Sequence, residues 1–206
     1  MTTPSSGARL TAQDWVDAAL SAIAGRGIDG VSVEPLARTL GATKGSFYWH
    51  FANREALVEA ALLAWETSET IEVAELLAPL PEPAARLRVL MGAALGDRPG
   101  ARVEAALLAS VGVAEVRAVL DRATRARTGY LRHLFEELGV DFPSQRATTA
   151  FALYLGLLHL RRAESALAPH GQELDDYVEH LCAWLTDDAA PPATGGRSRR
   201  PARPTG

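Results

Sequence analysis

The sequence predicts an all-α protein: an N-terminal three-helix helix-turn-helix domain followed by a helical body, about nine helices in total. Three observations predict it. Leu and Ala outnumber Val, Ile and the aromatics, which favours helix over strand. Apolar residues recur at i, i+3, i+4 and i+7 along most of the chain, and no window alternates with period two. Gly and Pro then cut the periodic stretches into pieces of helical length.

The elements follow in order. Thr11 is an N-cap with Asp14 as its capping-box partner. Trp15, Ala18, Ala19, Ala22 and Ile23 form one face of the helix that follows, and Gly25 and Gly27 end it. Ser32 caps a second helix whose first turn carries Glu34 and Pro35, both suited to that place. Leu36, Ala37 and Leu40 are its inner face, and Gly41 stops it. Thr43 caps a third, short helix with Phe47 and Phe51 four residues apart and inward. Asn53 caps a fourth, striped by Leu57, Ala60, Ala61, Ala64 and Trp65, which runs to the break at Pro79, Pro81 and Pro83. Further helices read as roughly 84–96, 102–112, 114–138, 143–168 and 172–187. The domain reading is an arm over 1–9, a helix-turn-helix domain over 10–55, a ligand-binding and dimerisation domain over 56–188, and a basic tail over 189–206 with Arg197, Arg199, Arg200 and Arg203.

Composition narrows the class. At 48% hydrophobic residues the chain has enough apolar surface to fold as a globule. A net charge of −4 means that any basic, nucleic-acid-facing surface is local. Residues 1–55 carry five cations, Arg9, Arg26, Arg38, Lys44 and Arg54, against five acids, so non-specific DNA affinity is expected to be modest. Cys182 stands alone, which fits a reducing, cytoplasmic setting and reads as a small buried hydrophobe. No signal peptide is expected, and the longest apolar stretch, 151–160, is half of what a bilayer demands. No phosphate loop, metal-ligand spacing or nucleophile elbow is present, so no enzyme, cofactor or metal is expected.

The informative stretch is 33–51. A short helix, a Gly-containing turn and a second short helix make a helix-turn-helix, and the second is small enough for the major groove. With Phe47 and Phe51 inward, Lys44, Ser46, Tyr48, Trp49 and His50 are left outside. Tyr, His, Ser and Lys can donate to phosphates or base edges, and Gly45 lets the backbone approach closely. The rival readings are a packing hairpin, a helical adaptor without DNA binding, and an activator.

The run Gly41-Ala-Thr-Lys-Gly-Ser-Phe-Tyr-Trp-His-Phe51, with Asn53-Arg-Glu-Ala-Leu57 after it, resembles the signature of the TetR family of transcriptional regulators. The resemblance covers about residues 10–65. Ala42 departs from it where a branched aliphatic is usual, as does Ala52 where Pro is frequent. It implies that Thr43, Tyr48, His50, Arg54 and Ser32 hold phosphates and that Lys44, Gly45 and Ser46 face bases, with Trp49 against a thymine methyl or sugar.

In the body, 151–160 is apolar nearly all round, which predicts burial on both sides. Phe151 and Leu155, with Leu174, Val178, Leu181 and Leu185 of the last helix, are the expected homodimer interface, a four-helix bundle across two subunits. The resemblance implies the same dimer, double-stranded operator DNA as partner, and a small-molecule inducer held between the body helices. Trp65, Met91, Phe135, Tyr154, Leu158 and His159 are the expected lining, suited to a mainly apolar ligand, with no membrane involved. Arg117, Arg122, Arg125, Arg127 and Arg132 read as a solvated helix face.

Overall fold

A computed structural model describes residues 10–187. The expected arm over 1–9 and basic tail over 189–206 lie outside the described residues. Within them the chain is all-α, with nine α-helices and no strand. The order is α1 (Ala12–Arg26), a 3-10 turn (Ile28–Gly30), α2 (Val33–Thr39), α3 (Lys44–Tyr48), α4 (Arg54–Leu77), α5 (Pro83–Leu95), α6 (Pro99–Ala109), α7 (Ala114–Glu137), α8 (Pro143–Arg162) and α9 (Gly171–Thr186).

The caps explain most boundaries. Thr11 and Asp14 close a reciprocal capping box at α1, and Thr43 and Asn53 accept from the amides of Ser46 and Ala56. Ser32 occupies its N-cap position without a side-chain cap bond. Gly27, with φ of 72°, ends α1, whereas Gly25 lies within it. Gly41, at φ of 64°, ends α2 with its own amide on Arg38 O and the Ala42 amide on Ala37 O. That left-handed turn sets α3 across α2 and is where a Cβ would be strained.

Three boundaries differ by three residues or more from the sequence reading, the end of α6 at Ala109 rather than 112 among them. α6 starts at Pro99 rather than 102, with Pro in the first turn, where its missing N–H costs nothing. α8 stops at Arg162 rather than 168, because Glu164 takes φ of 50° and the Ser165 amide bonds back to Leu160 O. This is a Schellman stop built on Glu instead of Gly, so no glycine announced it.

Two cores share the long helices. The first gathers Trp15, Ile23, Leu36, Phe47, Leu57 and Trp65 with Leu107 of α6 and Val116 and Leu120 of α7. It therefore runs past residue 55 into the body, and the three-helix head is not separately cored. The second holds Leu87, Met91 and Leu95 of α5, Leu134 and Phe135 of α7, Tyr154 and Leu157 of α8, and α9. At 24 residues, α4 is about 36 Å long and serves both. α1 lies on α6 and α4, so the head is packed against the body through those two helices.

The expected dimer residues on α9 need correcting. Val178, Leu181 and Leu185 are buried in their own chain's second core, where α9 packs on α5. Phe151, Leu155 and Leu174 are partly buried at the margin of the same core. The apolar stripe of α9 is narrow and its own fold consumes it. What α8 turns outward is Thr148, Thr149, Ala152, Gly156 and His159, and α9 adds His180, Ala183 and Trp184.

Candidate DNA-reading face and cavity

The head fixes α3 from beneath. Phe47 is wholly buried, edge-on to Trp15 at 5.3 Å and stacked on Phe51 at 5.8 Å. Anchored that way, α3 has only its opposite side for solvent. Trp49 is 85% and Tyr48 55% exposed, beside exposed Thr43, Lys44 and Gly45 and half-buried Ser46 and His50. Trp49, at the C-cap, buries almost nothing of its own fold, and Tyr48 little beyond an edge contact with Phe47 at 5.2 Å.

Lys44 is not idle on this face. Its Nζ donates to Glu34 Oε1 of α2 at 3.0 Å, which lowers the Glu34 pKa and raises that of Lys44. Arg54 has a structural role. Its Nε donates to Val31 O at 2.7 Å and its Nη2 to Ile28 O at 2.8 Å. The guanidinium thus ties the start of α4 to the turn before α2, and the expected phosphate clamp has two of its five N–H donors committed. Exposed Ser32 keeps its hydroxyl free of any cap.

At the far end of α4 a cavity of about 580 Å³ opens between α4, α5, α7 and α8. Its walls are apolar, from Val73, Leu90, Met91, Tyr130, Leu131 and Phe151 with several alanines. Its inner end is charged. Glu104 is 2% exposed and takes Arg127 Nη1 on both oxygens, at 2.8 and 2.9 Å, and the Tyr154 hydroxyl on Oε2 at 2.5 Å. Glu69, also buried, pairs with Arg98 and lies 3.5 Å from Arg127 Nη2. Arg127 lies over the Trp65 ring at 5.4 Å and the Tyr154 ring at 5.8 Å. Burial, with Glu104 beside it, raises the Tyr154 pKa, so the phenol stays a neutral donor. A Cβ on Gly100 would overlap the Glu69 carboxylate, so a side chain there would have to displace it.

Residues 16–61 match the family model of bacterial regulatory proteins, tetR family. Over these residues the chain carries a domain of the tetR-family type. The same segment is 42% identical over 53 residues to the class D tetracycline repressor of Escherichia coli, covering 26% of this chain and 24% of that protein. An HTH-type transcriptional regulator of Pseudomonas putida, TtgW, is 34% identical over 55 residues, 27% of this chain and 41% of that one. The match therefore spans well under half of either relative. Whole-chain likeness appears in solved structures. A TetR-family transcriptional regulator of Agrobacterium tumefaciens superposes with a TM-score of 0.69 at 21% identity, over 82% of this chain and 96% of that one. A Saccharomonospora viridis regulator crystallised with choline gives 0.72 at 18%, over 84% and 94%. At such identities the likeness concerns the fold.

The expected cavity residues divide. Met91 and Tyr154 line the cavity. Trp65 lies just behind it, its indole N–H donating to Gly100 O at 3.2 Å. Phe135 is fully buried in the second core, and Leu158 borders a different depression, near Arg161 and Arg162. His159 is exposed on the outer side of α8, one residue and so about 100° round from inward-facing Leu158. Arg127 is corrected too. Its side chain keeps only 14% exposure and belongs to the buried cluster, whereas Arg122 and Arg125 are exposed and pair with Glu66 and Asp121. The sequence reading missed Glu69, Arg98 and Glu104. A signal existed for Glu104, a lone acid inside the apolar run Ala101–Ala109 of α6.

Among the described residues no helix is long and apolar enough to cross a membrane, and no cluster of His, Cys, Asp and Glu could hold a metal ion.

Proposed function

We propose that the protein is a DNA-binding transcription regulator. It represses as a homodimer on a palindromic operator and leaves it when a small, mainly apolar molecule enters the cavity. The observation that carries the reading is the outer face of α3, where Tyr48 and Trp49 stand in solvent beside Lys44, Ser46 and His50. Lys44, Gly45, Ser46 and Trp49 meet the base edges. Thr43, Tyr48, His50 and Ser32 meet phosphates. Arg54 holds the head to α4 and adds its outer N–H groups to a phosphate.

Reading head and cavity share one rod. α4 is tied to the head at Arg54 and lines the cavity from Glu69 to Ala78. A ligand that moves the far half of α4, or α6 through Glu104, changes the pose of α1 and the head. The dimer forms through the outward faces of α8 and α9, where Ala152 and Gly156 let helices approach closely and Trp184 is 62% exposed. Two heads then meet half-sites about 34–36 Å apart. The choline-bound Saccharomonospora viridis structure supports small-molecule binding by this fold.

A reporter under the control of the gene's own upstream region tests the regulatory step. Wild type lowers expression and Tyr48→Ala does not. Expression indifferent to both proteins removes the repressor reading, and expression raised by the wild type makes it an activator.

A further inference from the structure

We propose that the cavity selects uncharged ligands: an aromatic or alicyclic body whose polar group is a hydrogen-bond acceptor such as a carbonyl. The selecting element is the buried quartet Glu69, Arg98, Glu104 and Arg127. The inference rests on the proposed reading of the cavity as the effector site.

The argument is one of charge and vacancy among the polar groups at the inner end. Two carboxylates face two guanidiniums, so the quartet is neutral as it stands. Tyr154, its phenol held protonated by burial, adds no charge. An ionic ligand head brought here has no counter-charge left over. It must either stay unpaired in a poorly solvated place or break an existing pair, and both are costly. The carboxylates have little to give a ligand donor or a cation, because Glu104 already takes Arg127 and Tyr154, and Glu69 takes Arg98. Two buried side-chain nitrogens of this cluster, Arg98 Nε and Arg127 Nη2, have no hydrogen-bond partner, Nη2 keeping only its 3.5 Å contact with Glu69, and both are donors just beneath the cavity wall. An oxygen acceptor complements donors without altering the net charge. Among the lining residues the only other charged side chain is Glu75, exposed at the rim, while Thr70 and Tyr130 add hydroxyls. The rest of the wall is aliphatic or aromatic, and about 580 Å³ is ample for two fused rings.

Three probes with one naphthalene body test this on the full chain by titration calorimetry: 2-acetonaphthone, 2-naphthoate and 2-(aminomethyl)naphthalene as its ammonium. The ketone binds at least about tenfold tighter than either ion. Glu69→Gln leaves the quartet one charge positive. The naphthoate then gains about tenfold while the ketone changes by less than about threefold. Ala126→Phe fills the cavity and abolishes ketone binding. An ion that binds wild type as tightly as the ketone overturns the charge filter while leaving the cavity as a ligand site. No binding by any probe, or ketone binding untouched by Ala126→Phe, overturns the cavity reading itself. The wild-type series is decisive even where Glu69→Gln folds poorly.

Discussion

Glu104→Ala is the most informative single change in the body. Glu104 is 2% exposed and provides all the short ion-pair contacts of Arg127, at 2.8 and 2.9 Å, and the acceptor for Tyr154. Its removal leaves a guanidinium that is 14% exposed with only Glu69, whose backbone O accepts from Nε at 3.2 Å and whose carboxylate is 3.5 Å away, and a buried phenol without its acceptor. Breaking a buried pair from one side costs about 3–5 kcal/mol. The residual Glu69 contact puts the expectation near the lower end, about 3–4 kcal/mol. For a chain of this length each kcal/mol moves Tm by about 2–4 °C, so the expected fall is about 10 °C. Circular dichroism melts at one fixed protein concentration read it, since the proposed dimerisation would make Tm depend on concentration. The paired change Glu104→Leu with Arg127→Met removes both charges and recovers stability to within about 1 kcal/mol of wild type. A single mutant that loses under about 1 kcal/mol would mean that the pair is hydrated and the quartet is no buried element.

Arg54→Ala removes two charge-assisted bonds to Val31 O and Ile28 O, and its partial exposure sets the cost at about 1–3 kcal/mol; a melt shift below 1 °C would make it a solvent-facing cation instead. Gly156→Arg gives monomers of unchanged helicity by sedimentation, because nothing in its own chain lies within 4 Å of a Cβ there; persistent dimers would move the interface off α8. Leu181→Glu, by contrast, puts a charge into the second core and unfolds the body, so a folded Leu181→Glu monomer would restore that residue to the interface. Burial, and Glu179 next, push the Cys182 thiol up to about 11 from 9.0, so less thiolate exists at any given pH. Alkylation at pH 8 is then about a hundredfold slower than for a free thiol, and a rate like that of free cysteine would contradict the burial.

The head was legible because its signals are local. Thr11 with Asp14, Gly41, Thr43 and Asn53 each act within four residues, and Phe47 four before Phe51 assigns the inner side of α3, so the outer side follows. The body was legible only as helices. Arg127 on α7 looks like Arg122 or Arg125 until Glu104 from α6 and Glu69 from α4 arrive beside it. His159 reads as buried because its neighbours in sequence are apolar, yet helical phase puts it outside. Leu181 and Leu185 could serve either their own core or a partner, and only the packing of α9 on α5 decides. Arg54 shows the same limit in the head, since its carbonyl partners lie 23 and 26 residues away.

The central claim is that α3 reads DNA in pairs. Selection of bound fragments from a tiled library by the purified full chain at physiological salt tests it most directly. The expected result is one enriched inverted repeat with half-sites about one helical turn apart, absent from a parallel selection with Tyr48→Ala. Fragments recovered no better than non-specific DNA, or the same repeat with Tyr48→Ala, would contradict it.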